Sequence, residues 1–265
     1  MKEFPMISLN RTTALTLILL ASCVGFNTAC EMAKEAREKG FVYLHEVDPT
    51  IQVSLRYYGN ENFLGRTVKG YKKPVLIMTR QAAQALKKVQ QDVKKDGYSL
   101  LVYDAYRPQQ AVDNFMSWSL DIKDQERKSQ YYPRVDKARV FELGYVAERS
   151  GHTRGSTVDL TLIKDGQTVH DIVEKKRALL DGFSVTYLDD GSVDMGTSFD
   201  LFDIASHHEN NLIPQEFKKM RTYLKDVMLK HGFKIIDEEW WHFTLVNEPY
   251  PASRGDSSYF NFPIE

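Results

Sequence analysis

Residues 150–162 read Ser-Gly-His-Thr-Arg-Gly-Ser-Thr-Val-Asp-Leu-Thr-Leu. From Val158 onward the stretch alternates: Val158, Leu160 and Leu162 share one face of an extended strand, and Asp159 and Thr161 share the other. A carboxylate on the polar face of a strand, entered through a glycine-bearing turn that carries His152, can present two metal ligands to one point. Further along, residues 238–245 read Glu-Glu-Trp-Trp-His-Phe-Thr-Leu. The same phase separates Trp241, Phe243 and Leu245 from His242 and Thr244. His152, Asp159 and His242 therefore make a three-ligand set with an open fourth position, the pattern of catalytic rather than structural zinc. Each piece alone is weak, because a strand histidine is more often a hydrogen-bonded core residue and an aspartate near glycines is usually turn chemistry. The combination, with Glu239 three residues before His242, favours the metal. In a regular strand Glu239 and His242 would face opposite sides, so Glu239 is expected on the turn entering the strand or beside a bulge.

The rest of the chain is consistent with an exported enzyme of α+β class. Of 265 residues 42% are hydrophobic, enough for a sizeable core, and the formal charge of −1 gives no broad electrostatic grip on nucleic acid or anionic lipid. The only cysteines are Cys23 and Cys30, so a metal in the folded part is bound by histidine and carboxylate, and no disulfide staples it. Lys2 and Arg11 precede an apolar run, Ala14 to Phe26, which suits a signal-peptide core. Leu20-Ala21-Ser22-Cys23 resembles a lipobox, which would make a lipid anchor at Cys23 the only membrane attachment; the alternative is a plain cleaved signal. The expected division is thus a signal and short tether over 1–30 and one catalytic domain over 31–265, in the periplasm or cell envelope. Apolar spacing predicts a helix over Thr79–Lys95, capped by Thr79 and stopped by Gly97, and another over Pro214–Lys230 with Phe217, Met220, Leu224, Val227 and Met228 inward. Tyr98–Tyr103 reads as a strand, Pro108 as a helix start, and Lys164–Ser192 as a loop-rich excursion.

One ordered series of motifs carries more. Arg56-Tyr57, Asn62-Phe63-Leu64-Gly65, Tyr103-Asp104-Ala105-Tyr106-Arg107-Pro108, Ser150 to Leu162, Met195-Gly196 with Phe199-Asp200, Ser206-His207-His208 and Glu239-Trp240-Trp241-His242 occur in that order. The series resembles the D-alanyl-D-alanine dipeptidase family, the VanX-like branch of the zinc D,D-peptidases. The resemblance implies a small antiparallel sheet flanked by helices, as in hedgehog-type and D,D-peptidase folds, and one Zn²⁺ per chain on His152, Asp159 and His242. It implies hydrolysis of the small dipeptide D-Ala-D-Ala with Glu239 as general base and Arg107 polarising the scissile carbonyl. It also implies that Asp200 engages the substrate ammonium, helped by Tyr57 and Ser150. Asp200 has a second reading as a helix cap before Leu201-Phe202-Asp203, and His207 and His208 read as supporting residues. Departures from the family pattern are Gly151, Thr157 and the length of the excursion before Asp194. A D,D-carboxypeptidase acting on longer wall peptides and a non-catalytic zinc domain binding wall fragments are the competing functions.

Overall fold

In the computed structural model, which describes residues 1–2 and 32–265, strands run over Phe41–Tyr43 (β1), Gln52–Val53 (β2), Ile77–Thr79 (β3), Tyr98–Asp104 (β4), Thr157–Lys164 (β5), Val173–Ala178 (β6), Ser184–Asp189 (β7), Phe233–Ile235 (β8) and His242–Leu245 (β9). Helices cover Lys34–Glu38 (α1), Leu44–Val47 (α2), Arg80–Lys95 (α3), Gln109–Leu120 (α4), Lys128–Tyr131 (α5) and Gln215–Lys230 (α6). The signal segment, Cys23 and the boundary expected near residue 30 lie outside the described residues. Among the described residues no helix is long and apolar enough to cross a membrane.

The central sheet has the order β2-β4-β5-β9-β8. It is antiparallel throughout except for the short edge strand β2, which runs parallel to β4. Val158, Leu160, Leu162 and Phe243 are fully buried on one face, and α3 and α6 pack on the sheet there and against each other. The opposite face is also closed to solvent: seven of the eight β5 residues are buried, Asp159 and Thr161 among them. The polar face of the alternation is therefore a covered interior, which is where chemistry needing a low dielectric belongs.

The long helices arise where their apolar spacing predicts, with instructive differences at the edges. Thr79 precedes α3 but does not cap it; its hydroxyl meets that of Ser156 at 2.6 Å, and its amide donates to the Gly155 carbonyl. On α6 the buried side chains are Arg221, Leu224, Val227 and Met228, whereas Phe217 and Met220 are half-buried. Arg221 goes inward because every arm of its guanidinium is met: Nε by the Met195 carbonyl (2.7 Å), Nη1 by the His207 carbonyl (2.9 Å) and Nη2 by Thr197 Oγ1 (3.0 Å). It thereby ties down both ends of the segment that carries Asp200.

The excursion expected over Lys164–Ser192 contains a β-hairpin, β6 paired with β7. Its first strand carries Glu174, Lys175, Lys176 and Arg177 and stays largely exposed, so it shows no hydrophobic alternation. The Asp181-Gly182 turn, with Gly182 at φ 86°, is the local signal that marks the hairpin.

The turn before β5 is the tightest joint in the fold. Residues 151–154 form one 3-10 turn, begun by Ser150, whose Oγ accepts from the His152 amide (3.2 Å), and ended by Gly155 at φ 81°. A Cβ at Gly155 would stand 2.3 Å from the Phe41 ring. Gly155→Ala is expected to cost at least about 2 kcal/mol, from left-handed strain and overpacking together, read as a lowered urea midpoint. An unchanged midpoint would mean that the Phe41 ring can swing aside.

Candidate active site

The pairing of the three inner strands sets out the site. Asp159 on β5 stands directly opposite His242 on β9, and Asp104 at the end of β4 stands opposite Asp159. Directly opposed residues project from the same face. A bulge at Tyr103 makes this so: Val102 pairs with Leu160 on the apolar face, and the extra residue turns Asp104 over to the Asp159 side. The turn ahead of β5 adds His152, whose carbonyl accepts from the Arg107 amide (3.3 Å), so the two functional loops are stitched together by backbone.

Three donor atoms converge. His152 Nε2 and His242 Nδ1 are each 3.2 Å from Asp159 Oδ1 and 3.3 Å from one another. A tetrahedral ion with ligands at about 2.0–2.1 Å holds neighbouring donors about 3.3 Å apart, so this nearly equilateral triangle has the dimensions of one face of a zinc tetrahedron. His152 Nδ1 lies 2.7 Å from the Ala105 carbonyl; the ring must donate there, which leaves the Nε2 lone pair aimed at the triangle. Asp159 Oδ1 is buried and has no hydrogen-bond partner, an arrangement that costs free energy unless a cation completes it. These residues can hold a divalent metal ion.

Glu239 lies in the turn that enters β9, with its carbonyl accepting from the His242 amide (3.3 Å). Its Oε2 is 3.4 Å from His242 Nδ1, so leaving the strand repeat brings its carboxylate to the ligand side. Arg107 is buried, donates from Nε to Asp104 Oδ2 (2.9 Å) and from Nη2 to Asp159 Oδ2 (3.3 Å), and lies over the Tyr57 and Phe115 rings at 5.1 and 5.2 Å. Asp200 accepts from the Tyr57 hydroxyl (2.8 Å) and is, among the described residues, the one non-glycine at positive φ (60°). It is not a helix cap; Asp203 fills that role, accepting from the Ala205 amide. All eight sequence-predicted residues, Ser150 and Tyr57 included, line one cavity of about 360 Å³. Sequence reasoning missed Asp104 and Tyr71. Asp104 accepts from Arg107 and from the Tyr71 hydroxyl (2.7 Å) and approaches His152 Nδ1 at 3.6 Å, so it positions both loops. Its place beside Arg107 in the Tyr103–Pro108 block was the available signal; Tyr71 had none.

The electrostatics follow from burial. Desolvation holds His152 down at about 4, so it is a neutral ligand at neutral pH. Burial also raises Asp104 to about 7, raises Glu239, and raises Asp200 well above the carboxylate range, the charges of Asp159 and Glu239 adding to the last. Burial opposes a charge on His242, but the carboxylates of Asp159 and Glu239 beside it outweigh burial and lift the imidazole to about 9. The two carboxylates demand positive charge at that point, and a proton and a metal ion compete to supply it.

A buried three-donor centre with an acid and a fixed guanidinium beside it defines the class: a candidate metal-dependent hydrolytic site. Comparison with known proteins narrows it. The family described as D-ala-D-ala dipeptidase matches residues 37–173 and 178–264. The D-alanyl-D-alanine dipeptidase of Enterococcus faecalis is 36% identical over 228 residues, 86% of this chain and 99% of that one. That of Streptomyces coelicolor is 36% identical over 225 residues, 84% and 98% of the two chains. A solved vancomycin-resistance D,D-pentapeptidase, in complex with Zn(II), aligns at 14% identity and a TM-score of 0.36 over 69% of this chain and 80% of that one. The chain belongs to the D-Ala-D-Ala dipeptidase family and is a peptidase.

The lifted His242 gives a signed pH dependence. Its proton, held up to about pH 9 against an ordinary 6.5, contributes stability to the metal-free fold below about 6.5 that is lost as pH rises through about 9. A binding ion must displace that proton, so apparent metal affinity should rise about tenfold per pH unit up to about 9. Calorimetric titration in buffers of different ionisation enthalpy should read roughly one proton released per ion at neutral pH, and none if His242 is not a ligand.

Proposed function

We propose that the chain is a zinc-dependent D-alanyl-D-alanine dipeptidase, with one Zn²⁺ held by His152, Asp159 and His242. The observation that carries the reading is the triangle of donors with 3.2–3.3 Å edges and the acid Glu239 at its rim, in a chain that covers nearly the whole length of relatives bearing that name. When bound, Zn²⁺ supplies a Lewis acid and lowers the pKa of water towards about 7.

The remaining work falls to the chain's own side chains. Glu239, its proton affinity raised by burial towards the working pH, accepts the proton of the attacking water and delivers it to the leaving amine. Arg107, locked by Asp104 and the two rings beneath it, donates to the carbonyl oxygen as negative charge develops there. Asp200, with Tyr57 holding one of its oxygens, receives the substrate ammonium; the incoming cation supplies the charge that lets the buried carboxylate ionise. Ser150 holds the His152 turn and offers its hydroxyl to the cavity. Export through the Ala14–Phe26 segment to the periplasm or cell envelope, with Cys23 either lipidated or removed with a cleaved signal, is part of the proposal and is supported by the sequence pattern alone.

Removal of metal with a chelator should abolish hydrolysis of D-Ala-D-Ala, and added Zn²⁺ should restore it. An N-acylated D-Ala-D-Ala peptide should resist cleavage, because its blocked amine cannot answer Asp200; robust cleavage would assign the chain to the D,D-carboxypeptidases instead.

Glu239→Gln should lower kcat by about 10²–10⁴-fold, the usual contribution of a general base, with zinc content unchanged. Full activity of that variant would remove Glu239 from the mechanism. A zinc-loaded wild type inert towards every D,D-peptide would favour the non-catalytic wall-binding reading.

A further inference from the structure

The active-site face of the sheet carries a second row of side chains, two residues along each strand from the Asp159–His242 pair. Thr157 on β5 stands opposite Thr244 on β9, and Thr244 stands opposite Lys234 on β8. Thr244 and Lys234 line the same cavity as the candidate ligands. Thr157 is fully buried beneath them, and its Oγ1 is 2.8 Å from Thr244 Oγ1. Among the described residues that is the only hydrogen-bond partner of either hydroxyl.

A buried hydroxyl proton needs an acceptor, and the one in reach of Thr157 is Thr244 Oγ1. Thr157 therefore donates and Thr244 accepts, which leaves the Thr244 proton free for a ligand in the cavity. Glycine at 151 is part of the same arrangement, since a Cβ there would lie 2.7 Å from Thr157 Oγ1. Gly151 and Thr157 are therefore matched: the hydroxyl at 157 occupies the space that a side chain at 151 would need.

Charge points the same way. Three lysine or arginine side chains line the cavity. Arg107 is engaged by Asp104 and Asp159, and Arg154 is engaged by both oxygens of Glu248 at 3.0 and 2.9 Å. Lys234, exposed at the rim, has no ion-pair partner among the described residues. The acid Asp200 and Tyr57 sit on the other side, by Arg107 and α4. Lys234 on β8 and the Asp200–Arg107 group beside β4 therefore stand on opposite sides of the donor triangle, with Glu238 and Glu239 also on the β8–β9 side.

We propose that Lys234 and Thr244, the latter oriented by Thr157, form the subsite for the free C-terminal carboxylate of the substrate. This rests on the dipeptidase reading, and with Asp200 at the ammonium it fixes the direction in which a dipolar dipeptide lies over the metal. Glu238, half-buried on the same rim, is the group that would compete for Lys234 if no substrate carboxylate were meant for it.

The test compares hydrolysis of D-Ala-D-Ala with that of its C-terminal amide by the zinc-loaded enzyme and its variants. The wild type should prefer the free acid by about ten- to hundredfold in kcat/KM, as expected of charge-assisted hydrogen bonds. Lys234→Met should raise KM for the acid, leave kcat within a few-fold and collapse the preference. Thr157→Val should lose part of the preference, and Thr157→Ser, which keeps the hydroxyl, should retain it. If Lys234→Met keeps the full preference for the acid, Lys234 serves Glu238 or solvent and the subsite is refuted while the dipeptidase reading stands. If the wild type cleaves neither compound, the dipeptidase reading fails and the subsite fails with it.

Discussion

The pairing of β5 with β9 is the constraint from which the site is built. Because strand side chains alternate, a slip of one residue between Thr157–Asp159 and His242–Thr244 would send His242 into the hydrophobic core and Phe243 into the cavity. The register is held from behind by Val158 and Phe243, both fully buried and paired with each other, and at one end by the hydroxyl pair of Thr157 and Thr244. The hydrophobic face thus sets the geometry of the polar face. Core packing and the placement of the donor side chains are two consequences of one alternation.

Everything not on those strands is brought to them by turns with a specific physical cause. His152 arrives through a 3-10 turn that ends at a glycine close against Phe41. Asp104 arrives through a bulge, Glu239 through the turn before β9, and Asp200 through a left-handed backbone conformation in a segment anchored by the buried Arg221. Four departures from regular structure surround one regular strand pair. Irregular backbone gathers where function requires side chains that the repeat alone cannot deliver.

The same division explains what could be read in advance. His152, Asp159 and His242 were legible because two lie on clean alternations and the third sits on a glycine-flanked turn, and α3 and α6 were legible from their spacing. Asp104 was not, because a bulge breaks the period by which a residue's face is inferred. The β6–β7 hairpin was not, because its first strand is charged and largely exposed. Arg221 was not, because a cation goes inward only where carbonyls from distant segments meet it, and nothing in the helix itself records them. Periodicity reports burial against one apolar layer; it is silent where burial is paid for by hydrogen bonds from afar.

The charge balance of the interior bears on stability as well as chemistry. Asp104, Asp159, Asp200 and Glu239 are all buried, the last three in the cavity wall and Asp104 behind Arg107, and among the described residues Arg107 is the only buried lysine or arginine bonded to any of them. Four carboxylates cannot all stay ionised in a low-dielectric site around a single guanidinium, which is why Asp104 is pushed to about 7, why Asp200 rises well above its ordinary range, and why His242 draws a proton. A divalent ion on the donor triangle and an ammonium at Asp200 would each relieve part of this repulsion. The fold thus carries an electrostatic deficit that its ligands are suited to fill, and affinity for both is the other side of the instability the cluster imposes on the protein alone.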